Sequence, residues 1–195
     1  MMVDAMAKRL LKNGSSGIVA RARDDASALG MLYEKYYERI YRFCVHRVYC
    51  KAAAEDVTSN TFLAVAGKIG KFEGESEGEF KSWVFAIAAN QANSYLRKHL
   101  RRQERLKENA SIIIKQEQFG QSSLDNWPEV YSAIRKLKPL SQTIITLRYL
   151  EDFTYEQIAQ VVDKKPSSVR VILHRSIKAL RKQLKTVPDG DSNHE

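Results

Sequence analysis

The chain has 195 residues, 44% of them hydrophobic, and carries a net charge of +9 from 32 basic and 23 acidic side chains. That length allows one large domain or two small ones, and the excess of positive charge suits a polyanionic partner without identifying it. Two cysteines, Cys44 and Cys50, exclude a disulfide framework and point to a reducing compartment. No stretch approaches the length of a transmembrane helix, so membrane insertion is not expected. No apolar run follows Lys8 and Arg9, so no secretory leader is expected and the expected location is cytoplasmic.

Residues 1–24 are expected to be a mobile N-terminal segment, with Gly14-Ser15-Ser16-Gly17 as a flexible joint. Strand signals are nearly absent, which predicts an all-α fold of two small helical domains joined by a flexible linker. The first domain is expected over 25–102. A long helix is predicted from about Ala26 to Cys50, because Leu29, Leu32, Tyr36, Ile40, Phe43 and Arg47 recur in steps of three and four. A second helix is predicted from about Ala53 to Ile69, with Val57, Phe62, Val65 and Ile69 facing inward. The acidic, glycine-bearing stretch from Phe72 to Glu79 reads as a loop. A third helix is predicted from about Phe80 to Arg102, ending in Arg97, Lys98, Arg101 and Arg102.

Residues 103–127 are polar and rich in Gln, Glu and Ser, which predicts a linker that is partly helical at its start. The second domain is expected over 128–187, followed by an acidic tail over 188–195. Pro128 opens one predicted helix, Ser141 can cap a second ending near Tyr149, and Thr154 can cap a third. Gln157, three residues after Thr154, completes a capping box. The turn Asp163-Lys164-Lys165 leads to Pro166, which suits the first position of a last helix because its missing N–H has no helical partner there. Val169, Ile172 or Leu173, Ile177, Leu180 and Leu184 form the expected buried stripe of that helix.

From Lys164 to Lys185 eight residues are basic and none is acidic. A short helix, a tight turn and a second helix so charged have the layout of a helix-turn-helix. Ser167, Ser168, Arg170, Val171 and His174 occupy the half of the second helix that reaches base edges. Arg can bond guanine with two hydrogen bonds, and Val171 suits a thymine methyl. Arg175, Lys178, Arg181 and Lys182 suit phosphates.

With Leu32-Tyr33-Glu34-Lys35-Tyr36-Tyr37, Ala54-Glu55-Asp56-Val57, Thr61-Phe62-Leu63 and Phe80-Lys81-Ser82-Trp83 through Asn90 and Tyr95-Leu96-Arg97 in the first domain, and Leu147-Arg148-Tyr149-Leu150-Glu151, Thr154-Tyr155-Glu156-Gln157-Ile158-Ala159, Val169-Arg170 and Leu173-His174-Arg175 in the second, the chain resembles a known family. It is similar to the extracytoplasmic-function class of bacterial RNA polymerase sigma factors, which carry only sigma regions 2 and 4. The resemblance implies a promoter-specificity subunit; the sequence has no phosphate-binding glycine loop, nucleophile motif or His-carboxylate cluster, so neither enzymatic activity nor a cofactor is expected. Glu55, Asp56, Thr61 and Phe62 match the motif that docks on core RNA polymerase. Phe80, Lys81, Trp83 and Asn90 match the pattern that takes the unpaired minus-ten element, with Arg97 along the phosphate path. Aromatics near a helix start also suit a core, so Phe80 and Trp83 have two readings. The helix from Pro166, with Ser167, Ser168, Arg170, Val171, His174, Arg175 and Lys178, would read the minus-thirty-five element of promoter DNA. An anti-sigma factor is the expected regulatory partner.

Glu73, Glu75, Glu77 and Glu79 would repel phosphate beside a single strand, so the loop either points away or marks an unusual minus-ten reading. His46 and Cys50 share a helical spacing, but no second ligand pair accompanies them, and no metal site is expected. Two rival functions are a stand-alone helix-turn-helix regulator and a sigma mimic that captures an anti-sigma factor; the basic run at 164–185 argues against the mimic.

Overall fold

The computed structural model describes residues 17–108 and 128–185. They fall into two compact helical units, and no strand occurs among the described residues. The first unit contains α1 (Ala26–Val48), α2 (Lys51–Lys68), a 3-10 turn (Ile69–Lys71) and α3 (Glu77–Glu108). The second contains α4 (Pro128–Arg135), α5 (Pro139–Tyr149), α6 (Tyr155–Val162) and α7 (Pro166–Lys185).

Helix α1 begins at Asp25, whose side chain accepts a hydrogen bond from the Ser27 N–H at 2.8 Å and so satisfies one of the free amides of the first turn. Its buried face runs through Leu32, Tyr36, Ile40 and Phe43; beyond Phe43 every residue to Tyr49 is buried. The helix stops at Tyr49, which adopts the left-handed conformation (φ 55°). Arg47 sits wholly inside the unit and donates to Asn93 Oδ1 on α3 at 2.7 Å. Burial draws its guanidinium down to about 10, so it remains charged at neutral pH. The four inward positions read from α2 (Val57, Phe62, Val65 and Ile69) are all buried.

Cys44 is wholly buried on α1, and burial pushes its thiol up to about 12, far from a reactive thiolate. His46 is also buried. Burial, reinforced by the positive Arg42, pulls its imidazole down to about 4 from an ordinary 6.5. The unfolded chain therefore binds the proton more readily between those two values. Stability is full above about pH 6.5, falls as the pH drops toward about 4, and levels off below that. The full loss is about 3 kcal/mol, of which about 2 kcal/mol has gone by pH 5. Thermal unfolding at pH 7 and pH 5 should show it, and His46→Phe should flatten the slope. An unchanged slope in the variant would place the acid sensitivity in another group.

Several boundaries differ from those read in the sequence. Residues 17–24, expected in the mobile segment, fold against the first unit: Val19 and Ala22 are buried, and Arg23 donates to the Gly74 carbonyl at 2.8 Å. The expectations for residues 1–16, for the linker from 109 to 127 and for the acidic tail lie outside the described residues. The expected helical start of the linker is present: its first six positions continue α3 to Glu108, and Gln103-Glu104-Arg105-Leu106-Lys107-Glu108 contains neither Gly nor Pro to stop it.

In the second unit α5 begins at Pro139 rather than after Ser141. Lys138 is already extended (φ −60°, ψ 145°), as the residue before proline must be, and Pro139 takes the first helical position. Gln142 through Leu147 are all buried, so α5 lies largely inside the unit. The buried Gln142 amide donates to the carbonyls of Arg135 (3.0 Å) and Leu137 (2.8 Å), satisfying the exposed end of α4.

Candidate nucleic-acid and polymerase interfaces

The helix-turn-helix is built from local signals that agree. Thr154 accepts from the Gln157 N–H at 3.2 Å, and the Gln157 side chain accepts from the Thr154 N–H at 3.0 Å, closing the capping box. Asp163 ends α6 in the left-handed conformation (φ 51°, ψ 59°), a position glycine fills at lower cost but which Asp tolerates. The Lys164 N–H then returns to the Ala159 carbonyl at 3.0 Å, and Ala159 is buried where α6 meets α7. The buried stripe of α7 is Val169, Leu173, Ser176 and Leu180. Of the two alternatives Ile172 and Leu173, Leu173 is the buried one. Ser176 was not anticipated; its hydroxyl is satisfied by the Ile172 carbonyl at 2.8 Å within the same helix.

The opposite face of α7 is open. Ser167, Arg170, Val171, His174, Arg175 and Lys178 are all exposed, and Ser168 is half-buried. The structure thus brings the whole predicted base- and phosphate-reading set to one accessible side. Arg170 is held: it pairs with Glu156 Oε1 at 3.3 Å and lies over the Tyr155 ring, 5.0 Å from its centroid.

In the first unit the predicted minus-ten set separates. Phe80 is wholly buried against Tyr36 and Phe72, so its place is in the core. Trp83 is half-buried and stacks on Phe72, with ring centroids 4.6 Å apart. Trp83, Asn90 and Arg97 are spaced by sevens and form one stripe along α3, while Lys81 lies roughly 160° away around the helix. Beyond Arg97, the side chains of Lys98, Arg101, Arg102 and Arg105 line one shallow groove; Arg105 extends the basic stretch past its predicted end.

The acidic loop has a local explanation. Ser76 and Glu79 form a capping box at the start of α3. Glu79 Oε2 accepts from the Ser76 N–H at 2.9 Å, and Ser76 Oγ accepts from the Glu79 N–H at 3.2 Å. Bonds from the Ser76 hydroxyl and from the Ser76 and Glu75 amides hold the Glu79 carboxyl below its ordinary range. Glu77 accepts from Tyr36 Oη at 3.0 Å and pairs with Lys35. Burial and that carboxylate raise the Tyr36 hydroxyl, keeping it protonated as the donor. Glu77 therefore fastens α3 to α1 and Glu79 closes the cap of α3, while Glu73, Glu75 and Glu79 are exposed. A Ser-x-x-Glu spacing carried this signal, hidden among the other glutamates.

Gly74 fixes the turn of that loop. A Cβ there would lie 2.4 Å from the Phe72 ring and 3.0 Å from the Glu79 Cβ. Gly74→Ala should displace Phe72 from Trp83 and cost about 1–3 kcal/mol. Thermal unfolding, with Trp83 fluorescence as the local probe, would show both effects; an unchanged spectrum would show that the ring had not moved.

The predicted polymerase-contact set divides by exposure. Glu55 and Asp56 are exposed on α2, Phe62 is 9% exposed, and Thr61 is wholly buried with its hydroxyl on the Val57 carbonyl at 2.7 Å. Phe62 meets Tyr33 edge-on at 4.7 Å and stacks with Tyr37 at 6.3 Å. Tyr37 in turn stacks on Tyr41 at 6.4 Å. Partial burial, with a smaller contribution from Glu55, raises the Tyr37 and Tyr41 hydroxyls. Leu63, the next residue along α2, is 70% exposed. The tyrosines at 33, 37 and 41 follow a four-residue spacing that the sequence displayed. Leu63 differs, because its exposure depends on how α2 is rotated.

The two units correspond to two known regions of one protein family: residues 32–102 match Sigma-70 region 2, and residues 128–180 match Sigma-70, region 4. Among curated relatives, the ECF RNA polymerase sigma factor BldN of Streptomyces coelicolor is 30% identical over 174 residues, covering 86% of this chain and 64% of the relative. The RNA polymerase sigma factor YlaC of Bacillus subtilis is 26% identical over 164 residues, covering 78% of this chain and 90% of the relative. The fold resembles that of the sigma factor RpoE in its complex with the anti-sigma factor NepR from Bartonella quintana. The TM-score is 0.61 at 21% identity, over 81% of this chain and 97% of that one. The chain belongs to the extracytoplasmic-function class of bacterial RNA polymerase sigma factors.

Proposed function

We propose that this sigma factor binds core RNA polymerase through its first unit, reads promoter DNA with both units, and helps melt the duplex without catalysis of its own. Residues 25–102 take the polymerase and minus-ten functions, residues 128–187 the minus-thirty-five function, and 103–127 joins them. On α1 and α2 the docking face is Glu55, Asp56, Phe62 and Leu63 with Tyr33, Tyr37 and Tyr41 around them. The open-strand face is Trp83, Asn90 and Arg97, continued along phosphate by the basic end of α3; Phe80 supports it from the core. Holding an unpaired strand shifts the duplex equilibrium by binding energy alone, so no nucleotide hydrolysis is needed.

The observation that carries the reading is the exposed, acid-free face of α7 on a chain that also contains region 2. A helix-turn-helix alone would suit a repressor; its pairing with region 2 is what a polymerase subunit needs. Among the described residues no helix is long and apolar enough to cross a membrane. The protein works in the cytoplasm, where core polymerase and DNA are found. The complex of the related RpoE with an anti-sigma factor supports a regulatory partner of that kind here.

Run-off transcription with purified core polymerase on a library of promoter fragments tests this function. New, sequence-specific starts that depend on the protein are expected. No specific starts and no binding to core would refute it.

A further inference from the structure

We propose that Glu156 determines base specificity by holding the Arg170 guanidinium in one orientation for a guanine. The inference rests on reading α7 as the helix that enters the major groove. Glu156 lies in the first turn of α6, fourteen residues before Arg170, and the crossing of α6 and α7 brings its Oε1 to 3.3 Å from Arg170 Nη2. Tyr155 supplies a second restraint, because the Arg170 guanidinium lies over its ring. That ring is itself located by Arg148, whose guanidinium is 5.2 Å from its centroid and whose Nη1 donates to the Phe153 carbonyl at 2.9 Å. Arg170 is thereby tied to α5 and α6 as well as to its own helix.

Stability does not account for the arrangement. The Arg170 and Glu156 side chains are 57% and 62% exposed, and an ion pair that open to water contributes little to folding. Its effect is on geometry. Arginine is long and samples many rotamers, so an untethered guanidinium can meet a phosphate as readily as a base. Nη2 carries two hydrogens. With one engaged by Glu156, the other remains with those on Nη1 and Nε, enough for a two-bond contact with guanine O6 and N7. On DNA the pair also leaves water, where a charge-assisted bond strengthens.

The carboxylate has a second consequence that separates this role from a simple loss of contact. A negative charge beside the groove opposes phosphate, so its removal raises affinity for arbitrary sequence while loosening selectivity. Glu156→Ala should therefore bind unrelated duplex more tightly and its own promoter less selectively.

The test is selection from duplexes randomised across the minus-thirty-five region, using holoenzyme assembled with the full-length wild type, Arg170→Ala, Glu156→Ala and the double variant. Arg170→Ala should erase a guanine preference at one position. Glu156→Ala should weaken the preference at that same position by about tenfold and leave other positions unchanged. In the double variant the glutamate substitution should add nothing there. A preference lost at a different position would mean that Glu156 contacts a base itself, and would overturn the proposal. So would an equal gain in affinity for all sequences with selectivity unchanged. If Arg170→Ala left every preference intact, the placement of α7 in the groove would fail, and the role of Glu156 with it.

Discussion

Replacing Arg170 and His174 together with alanine should abolish promoter selectivity and leave the fold intact. Both side chains are exposed on α7, and neither contributes to the stripe of Val169, Leu173 and Leu180 that fixes the helix to its unit. Each good contact to a base edge contributes about 1–3 kcal/mol of discrimination, so losing two should reduce specific transcripts by about a hundredfold or more. Binding to core polymerase should not change, because the proposed docking face is on the other unit. Run-off transcription measures the first quantity and thermal unfolding controls for the fold. Undiminished specific transcripts would remove α7 from promoter recognition.

Leu63→Glu should have an equally large effect by a different route. Leu63 follows Phe62 on α2 and is 70% exposed, so a carboxylate there puts charge on the proposed interface without disturbing the core. A central apolar anchor contributes about 2 kcal/mol or more, so core affinity should fall at least ~30-fold. All transcription that depends on the protein would then fall, whereas the α7 double variant loses selectivity alone. Fluorescence anisotropy with labelled protein and core polymerase reads the affinity directly. Unaltered affinity would move the docking face elsewhere.

The features legible in the sequence were those with a short-range cause. Thr154 and Gln157 are three residues apart, Pro166 starts a helix by its own ring, and Asp163 takes the turn conformation that its side chain tolerates. Where two local signals compete, the stronger backbone constraint prevails. Ser141 suggested a cap, but Pro139 had already set the helical conformation two residues earlier. Ser76 and Glu79 formed a cap inside a run so rich in acids and glycine that it resembled a plain loop, and α3 therefore starts three residues before its predicted position. Helical periodicity named both Ile172 and Leu173, since neighbouring positions differ by only about 100° and a broad stripe admits either.

What the sequence concealed was long-range. Nothing local distinguishes Phe80, sealed in the core, from Trp83, half open three residues later. The pairing of Glu156 with Arg170 depends on the crossing of two helices, as does the contact of Arg47 with Asn93 across 46 positions. Such contacts appear only once the helices are packed.

Helix α3 has 32 residues and so extends about 48 Å, yet Ala92 is the last of its described side chains to be buried. Asn93 still accepts from Arg47 on α1, and beyond it pairs along the helix add support, such as Tyr95 stacked on His99 and His99 bonded to Gln103. A helical stretch with only half-buried and exposed side chains is marginal in water. Its ellipticity should therefore decline gradually on warming, ahead of the cooperative melt of the core, and its amides should exchange with solvent far sooner than those near Phe85. The basic end of α3 behaves as a frayed cable fixed at one end, and any partner that grips it must also supply the free energy that keeps it wound.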